Sequence, residues 1–240
     1  EGTKARYEDI DIITVRENTQ GMYSGLGQVV SEDGSEAEAV SKITREGAEK
    51  IAVFAYELAR RENRKKVTTV HKANILKSTS GIFLKVAREV AVRYPDIEST
   101  EMIVDAACMK LVMTPEEFDV IVTTNLFGDI LSDIAATLSG SIGMLPSASI
   151  NSSSQGMYEP CHGSAPDIAG MNIANPIAMI ASLGMALKYS LEQKELADKI
   201  DAAIKEFISQ GYRTKDISTN DEYVKTSEVA AILIGILKNG

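Results

Sequence analysis

The stretch Asn125-Leu-Phe-Gly-Asp129-Ile-Leu-Ser-Asp133 puts two carboxylates four residues apart where apolar residues recur at helical spacing. Side chains at i and i+4 share a helix face, so two negative charges are held side by side. Left unpaired, they cost on the order of a few tenths of a kcal/mol. A divalent cation turns that cost into a binding site, because carboxylate oxygens suit Mg2+ or Mn2+. For such a pair alone, a solvated helix face is the plainer reading. The preceding residues shift the balance: Phe118–Thr124 reads as a buried strand. The pair therefore follows the carboxyl end of a strand, where open α/β sheets bind their ligands.

Further groups have chemical potential. Arg16-Glu-Asn-Thr-Gln-Gly-Met-Tyr23-Ser-Gly is a tight loop carrying an arginine for a carboxylate and a phenol for a proton. The plainer alternative is a surface loop whose Tyr packs on the core. Lys72 follows the strand Val67–His71, and burial or a cationic neighbour there would lower its pKa toward base chemistry. A surface lysine is the alternative, and His71 serves equally well as a structural hydrogen-bonder. Asp105 closes the apolar run Met102-Ile-Val. Alone it would be a helix N-cap. With Asp129 and Asp133 it would complete a three-carboxylate metal site. Glu159-Pro-Cys-His162-Gly-Ser-Ala-Pro-Asp167-Ile-Ala-Gly170 lacks the G-x-G-x-x-G pattern, but its small residues admit a ligand close to the backbone. Asp167 there suits a ribose diol and would repel a 2′-phosphate.

These residues need elements to place them. Strands are expected at Asp9–Arg16, Val67–His71, Met102–Asp105 and Phe118–Thr124. Helices are expected from a Thr44 cap to about Glu62, over Ser78–Arg93 and on from Asn125. Thr114, with Pro115 and Glu117, reads as a capping box. After Gly140 the texture changes: Gly143–Ile150 is extended, Asn151–Gly156 is a flexible loop and His162–Pro176 is a long loop. Three helices follow, near Ile177–Ser190, Glu192–Ser209 and Asp221–Lys238. The alternation predicts an α/β fold with domains at 1–139 and 140–240.

The 240 residues carry a net charge of −9, and the densest basic run is Arg64-Lys65-Lys66. This speaks against nucleic acid and anionic membrane as partners. The longest apolar stretch, Ile173–Leu187, is broken by Asn175, Pro176, Ser182 and Gly184, so no transmembrane segment is expected. Cys108 and Cys161 show no metal-ligand spacing and suit a reducing compartment. With no visible signal, cytoplasm is the expected location, or the mitochondrial matrix in a eukaryote.

Five motifs, VRENTQGMYSG, HKANIL, VDAACMKLV, NLFGDILSD and EPCHGSAPDIAGMNIANP, resemble in order and spacing the β-decarboxylating dehydrogenases of isocitrate, homoisocitrate and 3-isopropylmalate. The likeness covers nearly the whole chain. It implies that fold: a complete small α/β dimerisation domain followed by the C-terminal part of a large α/β domain. It also implies roles. Arg16 would bind a substrate carboxylate. Tyr23 would protonate the enol after CO2 leaves, and Lys72 would help remove the hydroxyl proton. Asp105, Asp129 and Asp133 would hold Mg2+ or Mn2+. Asn74 would sit near the nicotinamide, while Glu159, His162, Gly163, Ser164, Ala165, Asp167, Ile168 and Asn175 would line the dinucleotide site. Lys72 and Asp105 would reach the neighbouring subunit's site, so a homodimer or higher homo-oligomer is needed.

NADP-using bacterial isocitrate dehydrogenases typically carry Lys-Tyr at the place of Asp167-Ile168, which favours NAD here. Arg16-Glu-Asn-Thr19 and HKANIL look like isocitrate and homoisocitrate enzymes. Gly140–Ser149 and Ala174-Asn-Pro-Ile-Ala look closer to the 3-isopropylmalate enzyme. The loop that touches substrate favours isocitrate. Family members also carry on the order of 100 residues ahead of the position of Glu1, a domain-sized piece. Without them the polypeptide is expected to dimerise and turn over poorly. The competing readings are a non-catalytic regulatory subunit, which usually lacks the Tyr or the Lys, and oxidation of tartrate or malate by the same machinery.

Overall fold

The computed structural model describes residues 5–7, 10–138 and 140–239. The chain divides into two compact units, Asp9–Ala135 and a second built on Ala136–Gly240. The expected domain border lies at 139–140. Among the described residues no helix is long and apolar enough to cross a membrane.

The first unit is a four-stranded parallel sheet wrapped by helices. Its elements are β1 (Ile13–Arg16), the short β2 (Val29–Val30) and β3 (Ala37–Glu38), α1 (Arg45–Arg61), β4 (Lys66–His71) and α2 (Thr79–Ala91). These are followed by β5 (Glu98–Ile103), α3 (Val104–Met113), β6 (Val120–Thr123) and α4 (Asn125–Leu138). β2 and β3 form a small exposed antiparallel hairpin. The main sheet has the order β1-β6-β4-β5. The β-branched runs Val67-Thr-Thr-Val70 and Val120-Ile-Val-Thr123 are buried throughout, as central strands of a parallel sheet must be.

β1 reaches β4 through α1, and β4 reaches β5 through α2. Both crossovers run the same way along the sheet, so right-handedness puts both helices on one face. There α1 packs against α2. α3 returns from β5 to β6 on the other face, where Ala107, Leu111 and Leu131 close over Val70, Phe118 and Ile121. Because all four strands are parallel, they end at one edge of the sheet. In register, Arg16 lies opposite Thr123, Val70 opposite Thr123 and His71 opposite Ile103. Arg16, Lys72, Asp105 and Asn125 thus sit at or just beyond the carboxyl ends.

The second unit contains β7 (Pro146–Ile150), β8 (Gly156–Pro160), α5 (Ile177–Tyr189), α6 (Lys194–Ser209) and α7 (Thr226–Asn239). β7 and β8 form an antiparallel hairpin. Ile177, Ala203, Phe207, Val229 and Leu233 make its core, with Met144, Ile180 and Tyr212 packed alongside.

Several sequence expectations are corrected. β1 begins at Ile13, and Asp9, its expected start, lies outside the described residues. β5 starts at Glu98 and ends before Asp105, which falls in the first turn of α3. As an edge strand β5 tolerates the polar run Glu98–Glu101 that hid it. The Thr114 hydroxyl donates to Glu117 Oε1 at 2.9 Å and caps no backbone N–H. The Glu117 N–H is already bonded to the Thr114 carbonyl at 3.1 Å, which leaves the hydroxyl only the carboxylate.

In the second unit, Ile142–Met144 is a 3-10 turn ahead of β7. The 151–156 connection is a bonded turn, with Asn151 Oδ1 accepting from the N–H groups of Ser153 and Gln155 at 2.9 and 3.0 Å. α7 starts at Thr226 instead of Asp221 because side chains bind the backbone locally. Asn220 Oδ1 takes the Glu222 N–H at 3.0 Å, and the Ser218 hydroxyl donates to the Glu222 carbonyl at 2.8 Å.

Candidate active site

Arg16 leaves the end of β1 and spans the start of α4. Its Nε and Nη2 donate to Asn125 Oδ1 at 3.1 and 2.7 Å, and its Nη1 to Asp129 Oδ1 at 2.6 Å. The second Asp129 oxygen accepts from the Tyr23 hydroxyl at 2.7 Å, while the Arg16 guanidinium lies 5.0 Å from the Tyr23 ring centre. The Tyr23 hydrogen bond, helped by Arg16, holds the Asp129 carboxyl below the usual carboxylate range. The same bond, with Asp129's charge, raises the Tyr23 phenol above its ordinary value. At neutral pH the pair is therefore a carboxylate beside an intact O–H donor. Tyr23 is 54% exposed, so this donor faces solvent space that a substrate can fill. α4 can come this close only because Gly128 has no side chain: a Cβ there would stand 2.6 Å from Arg16 Cγ and 2.8 Å from Arg16 Cβ.

Glu17 and Gln20 fix the loop that carries Tyr23. The buried Glu17 carboxylate accepts the N–H groups of Thr19 and Gln20 at 2.9 and 2.7 Å. Gln20 Oε1 accepts the Thr44 N–H at 2.8 Å, and its Nε2 donates to the Thr44 hydroxyl at 2.8 Å. That hydroxyl accepts from the Gly47 N–H at 3.1 Å and so caps α1. The loop is thereby bolted to a helix terminus. Gly21, with φ +79°, takes the left-handed turn that presents Tyr23.

Lys72 follows β4, and its Nζ donates to Asp105 in the first turn of α3. That bond holds the Asp105 carboxyl below the usual range. Burial lowers the His71 pKa, and its Nδ1 accepts the Ala73 N–H at 3.1 Å, so His71 is a neutral structural acceptor. Asn74 is exposed on the following turn.

Asp133 lies exposed one turn beyond Asp129 on α4. The donor set is all carboxylate oxygen, which fits a hard cation. Asp105 does not join these two. Among the described residues no three His, Cys, Asp or Glu side chains gather into a metal cluster. One copy of the chain thus offers two neighbouring carboxylates and a third elsewhere.

In the second unit, Glu159 lies on β8 and His162–Ile168 on the connection after it. His162 Nδ1 lies 2.8 Å from the Gly163 carbonyl, which only accepts, so Nδ1 carries the proton. Gly163, Ser164, Ala165 and Asp167 are exposed, and Ala165 holds a left-handed φ of +43° ahead of the 3-10 turn Pro166–Ile168. Such backbone costs about 1–3 kcal/mol and persists where its surroundings impose it.

Asn175 at the loop's end is fully engaged. Its Oδ1 caps α5 by accepting the Ile177 N–H at 2.9 Å, and its Nδ2 donates to Asp216 Oδ2 at 3.0 Å. Burial pushes the Asp216 carboxyl up, but donors from Ser141, Thr214 and Asn175 outweigh it and hold the group below its ordinary value. A depressed carboxylate stabilises the fold above the unfolded pKa of about 3.9 and loses that contribution as pH falls through the folded value. The unfolding free-energy difference between wild type and Asp216→Asn should therefore be full at pH 7 and shrink below about pH 4. Urea titrations across that range measure it, and a difference constant down to pH 3 would show that the charge is not what stabilises.

The family model for isocitrate/isopropylmalate dehydrogenase matches residues 2–233. The chain belongs to this family. It is 47% identical to the 3-isopropylmalate dehydrogenase of Archaeoglobus fulgidus, over 97% of this chain and 70% of that protein. It is 45% identical to isocitrate dehydrogenase [NAD] catalytic subunit 5, mitochondrial, of Arabidopsis thaliana, over 93% of this chain and 60% of that protein. Among solved structures, the isocitrate dehydrogenase from Methylococcus capsulatus superposes with a TM-score of 0.94 at 46% identity, over 99% of this chain and 70% of that one. The chain thus spans between 60% and 70% of these relatives.

Seen as a member of the isocitrate/isopropylmalate dehydrogenase family, the chain groups Arg16, Tyr23 and Asp129, pairs Lys72 with Asp105, and leaves Asp133 and Asn74 exposed. Sequence reasoning missed Asn125, Gly128, Glu17, Gln20 and Asp216. For Gly128 the signal was available, since a glycine inside an apolar helix pattern usually has a packing reason. Asp216 sits in Thr214-Lys-Asp-Ile without a spacing that would single it out.

Proposed function

We propose that this chain catalyses the NAD- and Mg2+- or Mn2+-dependent oxidative decarboxylation of a 2-hydroxy acid bearing a β-carboxylate, with isocitrate as the first substrate. The convergence of Arg16, Tyr23 and Asp129 at the carboxyl ends of β1 and β6 supports this reading best. Arg16 offers a planar fork for a substrate carboxylate. Lys72 takes the hydroxyl proton during oxidation, and Tyr23 returns a proton to carbon after CO2 departs. When bound, the nicotinamide supplies the hydride acceptor and the divalent cation a Lewis acid. Asp129 and Asp133 of one copy and Asp105 of a second would hold the cation. Asn74 would sit near the nicotinamide. Glu159, His162, Gly163, Ser164, Ala165, Ile168 and Asn175 would line the dinucleotide site, with Asp167 on the ribose diol, favouring NAD over NADP.

Sharing the site between copies calls for a homodimer. Exposed Met109 and Met113 on α3, with Leu126 and Ile130 on α4, support such a contact. Mixing inactive Tyr23→Phe and Lys72→Met chains should restore roughly a quarter of wild-type turnover, because half the dimers are mixed and each has one intact site of two. A mixture as inactive as its parents would place both residues in one chain's site.

The direct test is NADH formation with Mn2+ by the chain joined to the N-terminal residues that its relatives carry, on isocitrate, homoisocitrate and 3-isopropylmalate side by side, with NADP+ as control. Turnover of none of them would overturn the reading. A second substrate, 3-isopropylmalate, is favoured by the name of the Archaeoglobus relative at 47% identity. Preference for it in that assay would show that the 16–23 loop does not choose the substrate.

A further inference from the structure

Asp216 is a half-buried carboxylate that the proposed chemistry does not use. Its Oδ2 accepts from the Ser141 hydroxyl and from Asn175 Nδ2 at 3.0 Å, and its Oδ1 from the Thr214 hydroxyl at 2.6 Å. Thr214 is buried. The carboxylate therefore joins three stretches distant in sequence: the turn before β7, the end of the 161–175 connection, and the segment between α6 and α7. The near end of that connection is tied to the same turn, through the Cys161 N–H and the Leu145 carbonyl at 3.0 Å. A ring results, running from Ser141 to Leu145, across to Cys161, along the loop to Asn175, and back through Asp216 to Ser141.

The ring is tight. A Cβ at Gly143 would stand 2.9 Å from Asp216 Oδ2 and 3.0 Å from Asn175 Cβ. Asp216 also decides which way Asn175 faces. A carboxylate only accepts, so the amide NH2 must turn toward it, which leaves Oδ1 for the Ile177 N–H that starts α5. A second anchor ties Asn172 and Ala174 to the start of α7, where the Asn172 amide bonds Ser227 and the Thr226 hydroxyl donates to the Ala174 carbonyl at 2.6 Å. That anchor fixes the loop's height along α7 but does not close the ring.

We infer that Asp216 is a positioning residue for dinucleotide binding: it closes the ring that presents His162–Ile168 and Asn175 as one preformed surface. This rests on the proposed reading of that loop as the NAD site. Without the carboxylate the loop has several arrangements, and a ligand needing one of them binds more weakly in proportion to its population.

The test uses the full chain with Mn2+, titrating NAD+ and NADH by fluorescence and calorimetry. Asp216→Asn, which keeps the volume and removes the negative charge, should weaken NAD+ about tenfold, the size of effect expected for one hydrogen bond to a charged group. The KM for NAD+ should rise more than kcat falls, and Mn2+ affinity should stay at the wild-type value. A variant with lowered Tm but NAD+ affinity within about twofold of wild type would make Asp216 merely structural and overturn the inference. If Asp216→Asn does not fold, Ser141→Ala decides. It opens the ring at one bond and should weaken NAD+ about threefold, and unchanged affinity would overturn the inference equally. Wild-type protein that binds no dinucleotide would instead sink the site reading itself, and Asp216's role with it.

Discussion

Tyr23→Phe is expected to lower kcat by about 10²- to 10⁴-fold, the range for loss of a general acid, and to lower the KM for the hydroxy acid with it, because the slowed step follows oxidation. The substitution removes one atom. The ring stays 5.0 Å from the Arg16 guanidinium, so the cation–π contact that helps hold that arginine survives. What disappears is the O–H that Asp129 keeps protonated. Oxidation precedes the step that needs this proton. The variant should therefore show a rapid burst of NADH, about one per active site, and then a slow steady state set by protonation or product release. Stopped-flow absorbance reads both phases. Unchanged kcat would remove Tyr23 from the chemistry, whereas a slowed first turnover without a burst would assign it to oxidation.

Gly128→Ala is expected to cut kcat/KM about 100-fold with little loss of helix. Two effects oppose each other. Alanine in a helix interior gains about 1 kcal/mol over glycine. The new methyl, however, would sit 2.6 and 2.8 Å from Arg16 Cγ and Cβ. Those atoms form the base of the side chain, which is anchored by β1, so neither can swing aside as a flexible tip could. Overpacking of this kind costs about 1–3 kcal/mol and wins. The cheapest relief is displacement of the guanidinium from Asn125 and Asp129, and a shift of about 1 Å in a positioning group can cost on the order of 10²-fold in rate. Gly81→Ala is the control, because a Cβ there on α2 meets no neighbour and reports helix propensity alone. A Gly128→Ala enzyme with wild-type kcat/KM would mean that Arg16's placement is immaterial to turnover.

The amphipathic helices and the buried β4 and β6 were legible because burial writes itself as periodicity: α1 runs from its Thr44 cap to Arg61 as the apolar spacing required. The edge strand β5 was legible only at its apolar end, since a strand paired on one side tolerates Glu98, Thr100 and Glu101. β8 and the true start of α7 depend on a hairpin partner and on side-chain bonds around Ser218 and Asn220, which no single-strand pattern contains. At the site, Arg16, Tyr23, Asp129 and Lys72 stood out by residue type and place after strands. The pairing of Asp105 with Lys72, apart from Asp129, was not readable, because it depends on where α3 begins. The residues that hold the others, Glu17, Gln20 and Gly128, act through contacts made only once the chain has folded.

The strand order has a kinetic consequence. β1 precedes the other three strands of its sheet in the chain but, among the described residues, pairs only with β6, at Ile13 with Val120, so its place in the sheet stays empty until more than a hundred later residues have been synthesised and folded. Closing so long a loop is entropically slow and comes late on any pathway dominated by local contacts. The β4–α2–β5 segment is contiguous in sequence and can assemble beforehand. Arg16 ends the strand that docks last, so recovery of substrate affinity during refolding should trail recovery of helix, and binding competence becomes a clock for completion of the sheet.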